Sequence, residues 1–213
     1  MNDSVVFCTS YLEPDPQRYQ DWIDYYTEFF NGCGIDLMMI NDGPPVQEID
    51  TKGVVDFRHF DTRLGRQSVW IFPGWKRSFC HALKWCSHYK WVAHVESDCW
   101  ITRKGKAEFL QLLRRHGYFT GYCKTYNFPE ACLQIINDAS VRQYFIDKYS
   151  CVENLYEDIN FEADLERLRP KYFLEGDRIE NRPERFNLNY TYLTALPLRD
   201  FKRFYGDSQL LLL

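Results

Sequence analysis

Nowhere in the 213 residues does an apolar run approach the ~18 residues that a membrane-spanning helix requires, so a helical membrane span is excluded. No CxxC pair occurs among the eight cysteines, which are scattered at positions 8, 33, 80, 86, 99, 123, 132 and 151, and no secretory leader stands ahead of them. That pattern argues against a zinc site or a disulfide framework and for reduced, buried thiols in a cytoplasmic protein. Positive charge is not in excess either. The formal net charge of −4 speaks against a nucleic-acid surface while leaving room for a local basic pocket and a bound nucleotide. There is no internal repeat and no low-complexity tract, and no polar stretch is long enough to imply disorder.

What the sequence does hold is core. With 45% hydrophobic and 17% aromatic residues, the length suffices for one large α/β domain over 1–213. Its centre of gravity is WVAHVESDCW, Trp91–Trp100. Trp91, Val92, Ala93 and Val95 suit a strand buried on both faces, and the run turns polar at Glu96-Ser97-Asp98. Two acids one residue apart thus stand at the carboxyl end of a central strand, where open α/β sheets bind ligands and where hard oxygen donors meet a divalent cation directly or through its waters. A solvated turn in which Asp98 caps the next segment is the plainer alternative.

Ser4–Ser10 reads as a first buried strand, with Thr9, Ser10 and Tyr11 at its ligand-facing end or simply satisfying loop backbone. Tyr19, Trp22, Ile23, Tyr26, Phe29 and Phe30 recur at helical spacing until Gly32 and Gly34, an aromatic face that is core. Ile35–Ile40 is a second strand broken at Asn41-Asp42-Gly43-Pro44-Pro45, and strand, helix, strand favours a right-handed parallel crossover. Asp42 then shares the edge with Thr9, either hydrogen-bonding a uracil ring or ribose or forming the turn. Residues 54–60 form a short third strand, and 61–72 a mobile basic loop suited to close over a ligand. A helix from Pro73 to about His88 carries Lys76 and Arg77 in its first turn. Cations there oppose the macrodipole and call for an anionic partner such as a diphosphate, unless they are an ordinary solvated pair. Beyond the acidic turn come an amphipathic helix over 104–115, a strand over 118–122, a sugar-gripping loop over 124–132 and a helix over 140–149. Tyr156-Glu157-Asp158 comes next, then a helical pattern at Phe161, Leu165 and Leu168, and a charged, exposed segment over 176–183. The terminal Leu210–Leu213 suggests a boundary within a longer polypeptide.

Taken together, Thr9-Ser10-Tyr11, Asn41-Asp42-Gly43, Lys76-Arg77 and Glu96-Ser97-Asp98 occur in the order and spacing of the nucleotide-sugar glycosyltransferases of the GT-A fold, which residues 4 to 123 resemble. The resemblance extends to the amino-terminal domain of a glycosyltransferase encoded by a large chlorella-infecting virus, hence a viral protein in host cytoplasm. It implies a mostly parallel central sheet flanked by helices, with a Rossmann-like nucleotide-sugar half over about 1–100 and an acceptor-side half over about 101–213. It further implies that Glu96-Ser97-Asp98 is the metal-binding DxD motif for Mn2+ or Mg2+. Asp98 is the firmer ligand, since Glu96 replaces the usual first Asp. Asn41, Asp42 and the first loop then hold the nucleoside, and Lys76 or Arg77 faces the diphosphate.

The implied reaction is transfer of a hexose or deoxyhexose from a UDP-sugar to a glycan or glycoprotein acceptor. An inverting enzyme needs a carboxylate base, for which Glu157 and Asp158 are the candidates, although Asp158 also suits a helix cap. An inactive nucleotide- or sugar-binding module and a nucleotidyltransferase are the competing readings. The latter lacks its glycine-rich basic loop, because Tyr11-Leu12-Glu13-Pro14 stands where it belongs.

Overall fold

The computed structural model describes residues 2–10, 16–45, 49–68, 71–157, 165, 167–170, 172–180, 182–185, 187 and 189–205. Among the described residues, nine strands form one sheet in the order β3-β2-β1-β4-β7-β6-β8-β9-β5. Its first half is the expected crossover series: β1 (Ser4–Ser10), α1 (Pro16–Phe29), β2 (Ile35–Asn41), β3 (Val55–His59), α2 (Pro73–Trp85) and β4 (Trp91–Val95). β1 lies between β2 and β4, parallel to both, with Phe7 opposite Met38 on one side and His94 on the other. Three consecutive parallel pairings put the carboxyl ends of β1, β2, β3 and β4 along one edge.

The second half is β5 (Trp100–Ile101), α3 (Arg103–Leu113), β6 (Tyr118–Cys123), β7 (Phe128–Ile136), α4 (Ala139–Ser150), α5 (Val152–Leu155), β8 (Tyr172–Arg178), β9 (Tyr192–Thr194) and α6 (Leu198–Tyr205). β7 runs antiparallel to β4 and β6, and β5 antiparallel to β9, while β6, β8 and β9 are parallel neighbours. The sheet is therefore mostly parallel and flanked by helices, as expected from the sequence.

Strand alternation divides the core into two layers. Val6, Cys8, Leu37, Met39, Ala93 and Val95 pack against α1, α3 and α6. Val5, Phe7, Met38, Ile40 and Val92 pack against α2, α4 and α5. The aromatic face of α1 is core in the expected way: Trp22, Ile23 and Tyr26 have no exposed surface, and Gly32 and Gly34 end the helix with positive φ.

Two expectations are corrected. Residues 124–132 are not a loop throughout: only 124–127 form the turn, and from Phe128 the chain is β7, with Pro129 opposite Tyr122 beside a register shift between Thr120 and Gly121. Residues 176–183 are not an exposed charged segment, since Gly176, Asp177 and Ile179 are buried. Asp177 survives burial because its carboxylate accepts hydrogen bonds from Thr125 Oγ1 at 2.6 Å and the Arg178 amide at 2.9 Å. Phe161 and the terminal leucines lie outside the described residues, whereas Leu165 is buried against the α2 layer.

Gly176 and Gly121 on adjacent strands make a floor for the Tyr192 ring. A Cβ on Gly176 would lie 2.5 Å from both Tyr192 Cδ1 and the Tyr192 carbonyl oxygen, and one on Gly121 would lie 2.8 Å from Cζ. Gly176→Ala is therefore expected to destabilise the fold by roughly 1–3 kcal/mol through overpacking. Urea unfolding that moved by less than about 0.5 kcal/mol would show that the ring can yield.

Candidate functional site

Glu96 leaves β4 with its amide on the Cys132 carbonyl at 2.9 Å, and the Cys99 amide bonds back to the Glu96 carbonyl at 3.0 Å. This turn sends its two acids to opposite sides. Glu96 Oε1 accepts from the indole Nε1 of Trp75 on α2 at 2.9 Å, whereas Asp98 Oδ2 pairs with Arg18 Nη2 on α1 at 2.7 Å. Burial, and after it the nearby Asp98 carboxylate, push the Glu96 carboxyl up to about 8, so near neutral pH it holds a proton. Asp98 is paired with the guanidinium of Arg18. The Cys8 thiol beneath is pushed well up by burial first and by Glu96 next, and stays protonated.

Ser97 and Asp98 line a cavity of about 590 Å³. Its walls include Gln17, Arg18 and Asp21 from the start of α1, and Glu180 and Ala195–Arg199 from the far half of the sheet. Two wall residues that are not glycine, Glu180 and Ala195, hold left-handed backbone conformations (φ 49° and 59°). Such conformations cost energy and persist where surrounding structure fixes a loop. The Glu180 carboxylate is held by the Tyr126 hydroxyl at 2.7 Å and by Arg185 Nη1 at 3.1 Å.

The other positions singled out by sequence take more varied places. Thr9 is buried, and its hydroxyl lies 3.0 Å from His94 Nε2. His94 Nδ1 is 3.2 Å from the Ala131 carbonyl, so that nitrogen carries the hydrogen and the Thr9 hydroxyl donates inward to Nε2. Ser10 pairs with Asn41 across β1 and β2, and Tyr11 lies outside the described residues. The Asn41 amide nitrogen donates to the carbonyls of Gly43 at 2.7 Å and Pro44 at 3.3 Å, which fixes its rotamer. Its Oδ1 is buried and has no hydrogen-bond partner among the described residues.

Asp42 is fully buried rather than open at the edge. Its Oδ2 accepts from the amides of Gly65 at 2.6 Å and Leu64 at 3.1 Å, and its Oδ1 pairs with Arg77. Gly74 allows this, because any Cβ there would collide with the Asp42 carboxylate. Residues 62–65 of the expected mobile loop are thereby tied to the sheet, with Arg77 also donating to the Thr62 carbonyl at 2.6 Å. Lys76 is buried, donating to the carbonyls of Glu157 at 2.8 Å and Asn154 at 3.2 Å. Glu157 itself is exposed at the end of α5, and Asp158 lies outside the described residues.

Arg18, Glu180 and the 195–199 wall were not foreseen. Arg18 had a readable signal. It sits in the first turn of a helix with no acid in that turn, the same unfavourable placement that marked Lys76 and Arg77. Glu180 and Ala195 had none, since only the pairing of β8 with β9 brings them to the edge.

Among the described residues no group of three or more His, Cys, Asp and Glu side chains converges to hold a metal ion. The chemistry of the turn nonetheless fits one. Mg2+-type sites at phosphates use one or two carboxylates and take the remaining oxygens from substrate and water, and Asp98 is already held against a cationic group at a cavity wall.

No family model matches the chain, and no curated protein matches its sequence. Solved structures of similar fold include a glycosyltransferase involved in the glycosylation of the major capsid of PBCV-1, at 9% identity and TM-score 0.54, with 94% of this chain and 98% of that one covered. An active-site mutant of LgtC gives 12% identity and TM-score 0.56, with coverage of 91% and 88%. The galactosyltransferase LgtC in complex with donor and acceptor sugar analogues gives 9% identity and TM-score 0.51, with coverage of 90% and 86%. At these identities the likeness is one of fold: the chain has the GT-A-like architecture of glycosyltransferases. No described helix is long and apolar enough to cross a membrane.

The Thr9 and His94 pair generates a pH prediction. Burial depresses the His94 pKa to about 3, so the native imidazole stays neutral while the unfolded one takes up a proton below its ordinary 6.5. The unfolded state then binds more protons throughout that window, and stability falls as pH drops through it. From pH 6.5 to 4.5 this group alone should cost about 2 kcal/mol. His94→Gln should lose correspondingly less over the same interval in urea unfolding, and an equal loss in both proteins would exclude His94 as the source.

Proposed function

We propose that this chain is a divalent-metal-dependent glycosyltransferase that moves a hexose or deoxyhexose from a UDP-sugar to a glycan or glycoprotein acceptor. The observation that carries the reading is the placement of Ser97 and Asp98. They stand at the carboxyl end of the central buried strand, on the wall of a cavity large enough for a sugar and diphosphate. Asp98 is the direct ligand of Mn2+ or Mg2+, and Glu96 acts beside it. When bound, the cation offsets the charge that develops on the departing diphosphate. The chain works in the cytoplasm, that of a host cell if its origin is viral, consistent with eight free cysteines.

This chain's own residues do the rest. Asn41 reads the base: with its amide nitrogen committed to two carbonyls, its Oδ1 accepts only, and uracil N3–H is a donor that suits it. Thr9, Ser10 and Tyr11 form the floor and first loop of the nucleoside site. Asp42 and Arg77 act on it from beneath, by holding residues 62–65 in place, and Lys76 braces α2 against α5. On the acceptor side, Glu157 and Asp158 are the candidates for a base, and Glu180, which lines the same cavity as Asp98, is a third carboxylate.

Asp98→Asn is expected to lower UDP release from the preferred UDP-sugar in manganese by at least about 100-fold, on the scale of losing one charge-stabilising group. Circular dichroism should be unchanged. Turnover at the wild-type rate in a folded mutant would remove Asp98 from the chemistry, and a binding module would release no UDP in either protein.

The base reading has its own test. UDP should bind more tightly than CDP by roughly 5- to 150-fold, because cytosine presents an unprotonated ring nitrogen to the Asn41 oxygen. Asn41→Leu should erase that preference in calorimetry. Equal affinities for UDP and CDP in the wild type would sink the assignment.

A further inference from the structure

The ion pair between Arg18 and Asp98 is partly open, with 28% and 24% of the two side chains exposed. Both residues line the same wall. Asp42 and Arg77, by contrast, form a pair whose carboxylate has no exposed surface and whose two oxygens are both occupied. Among the described residues, Asp98 Oδ1 has one long contact, 3.5 Å from Thr194 Oγ1. A carboxylate with one weakly used oxygen and one exposed guanidinium partner is the most readily re-coordinated acid at this edge. A metal ion arriving there meets a positive charge already in place. Cation and guanidinium repel each other across one shared carboxylate unless a further anion joins them.

We propose that Arg18 is the counter-cation a divalent metal displaces from Asp98, and that the released guanidinium then grips the diphosphate of the nucleotide donor. The inference rests on the reading of Asp98 as a metal ligand. No covalent bond changes in the exchange. Arg18 gives up one anionic partner, the carboxylate, for another, the diphosphate, and its planar fork suits phosphate oxygens. Its place in the first turn of α1 keeps it within the cavity in both states. Metal alone is therefore disfavoured by Arg18, whereas metal together with diphosphate is favoured. Cation and nucleotide bind cooperatively through one side chain, and by linkage each tightens the other equally.

The test uses the intact chain, with manganese alone and UDP as probes, read by calorimetry and by the electron paramagnetic resonance of free Mn2+. R18Q should bind Mn2+ alone about tenfold more tightly than wild type. At saturating Mn2+ it should bind UDP about tenfold more weakly, so that most of a coupling in the usual 5- to 150-fold range disappears. R18K keeps the charge and should stay close to wild type for Mn2+ alone, which separates the electrostatic effect from any disturbance of α1. Manganese affinity in R18Q equal to or weaker than wild type, or unchanged UDP affinity, overturns the exchange. If D98N meanwhile abolishes manganese binding, the metal reading stands and only the exchange falls. If wild type and R18Q take up no manganese, or D98N takes it up normally, both fall together.

Discussion

Parallel pairing of β1 with β2 and β4 is the constraint on which the other features depend. Parallel neighbours need crossover connections that return the chain to the same end, so β1, β2, β3 and β4 deliver their carboxyl termini to one edge. β1 lies in the middle of that arrangement, and Val5, Val6, Phe7 and Cys8 have no exposed surface. Their alternation fastens two helical layers at once, Val6 and Cys8 against α1 and Val5 and Phe7 against α2. Alternation carries one step past β4, to Glu96, and the turn closed by the Cys99 amide on the Glu96 carbonyl then breaks it. Glu96 lies toward α2 and finds Trp75, while Asp98, after the turn, meets α1 and finds Arg18. Two acids that a continuing strand would keep on one face are thus split between two helices by the turn.

Charge at this edge is managed by partners that differ in how readily they are released. Glu130, fully buried near the start of β7, is held in a fork by Arg178, whose Nε and Nη2 each donate to it at 2.7 Å. Asp42 is held by Arg77 and two amides, and Glu96 keeps its proton beside an indole. Breaking a buried pair of this kind typically costs about 3–5 kcal/mol, which makes the first two fixtures of the fold. The Arg18–Asp98 pair differs from these in its exposure, and that is where an exchange of ionic partners costs least.

Much of the fold was legible because the strands of the first half are short apolar runs between strong turn signals. Ser4–Ser10 and Trp91–Val95 carry their burial in their own composition, and Gly32 and Gly34 mark the end of α1 by a backbone conformation that few other residues take. The second half was less legible for a different reason. Pro129 and Glu130 look like loop residues, yet the first is accommodated beside a strand irregularity and the second by an arginine 48 positions away. Asp177 likewise looks exposed until Thr125, 52 residues earlier, is folded onto it. Where burial is conferred by a distant partner, local pattern carries no trace of it.

The same distinction governs the cations. Lys76 and Arg77 open α2 against its dipole, and local reasoning rightly demands negative partners for them. The fold supplies these internally: Arg77 takes Asp42, and Lys76 takes the carbonyls at the end of α5, whose partial negative charge suits an ammonium. Arg18 answers the same demand with Asp98, but there the acid faces a cavity and the pair is partly wet. Three helix-opening cations with the same electrostatic problem have therefore reached different solutions. What separates a structural clamp from a group available to a ligand is the exposure of the partner, a property that arises only when the strand ends are assembled.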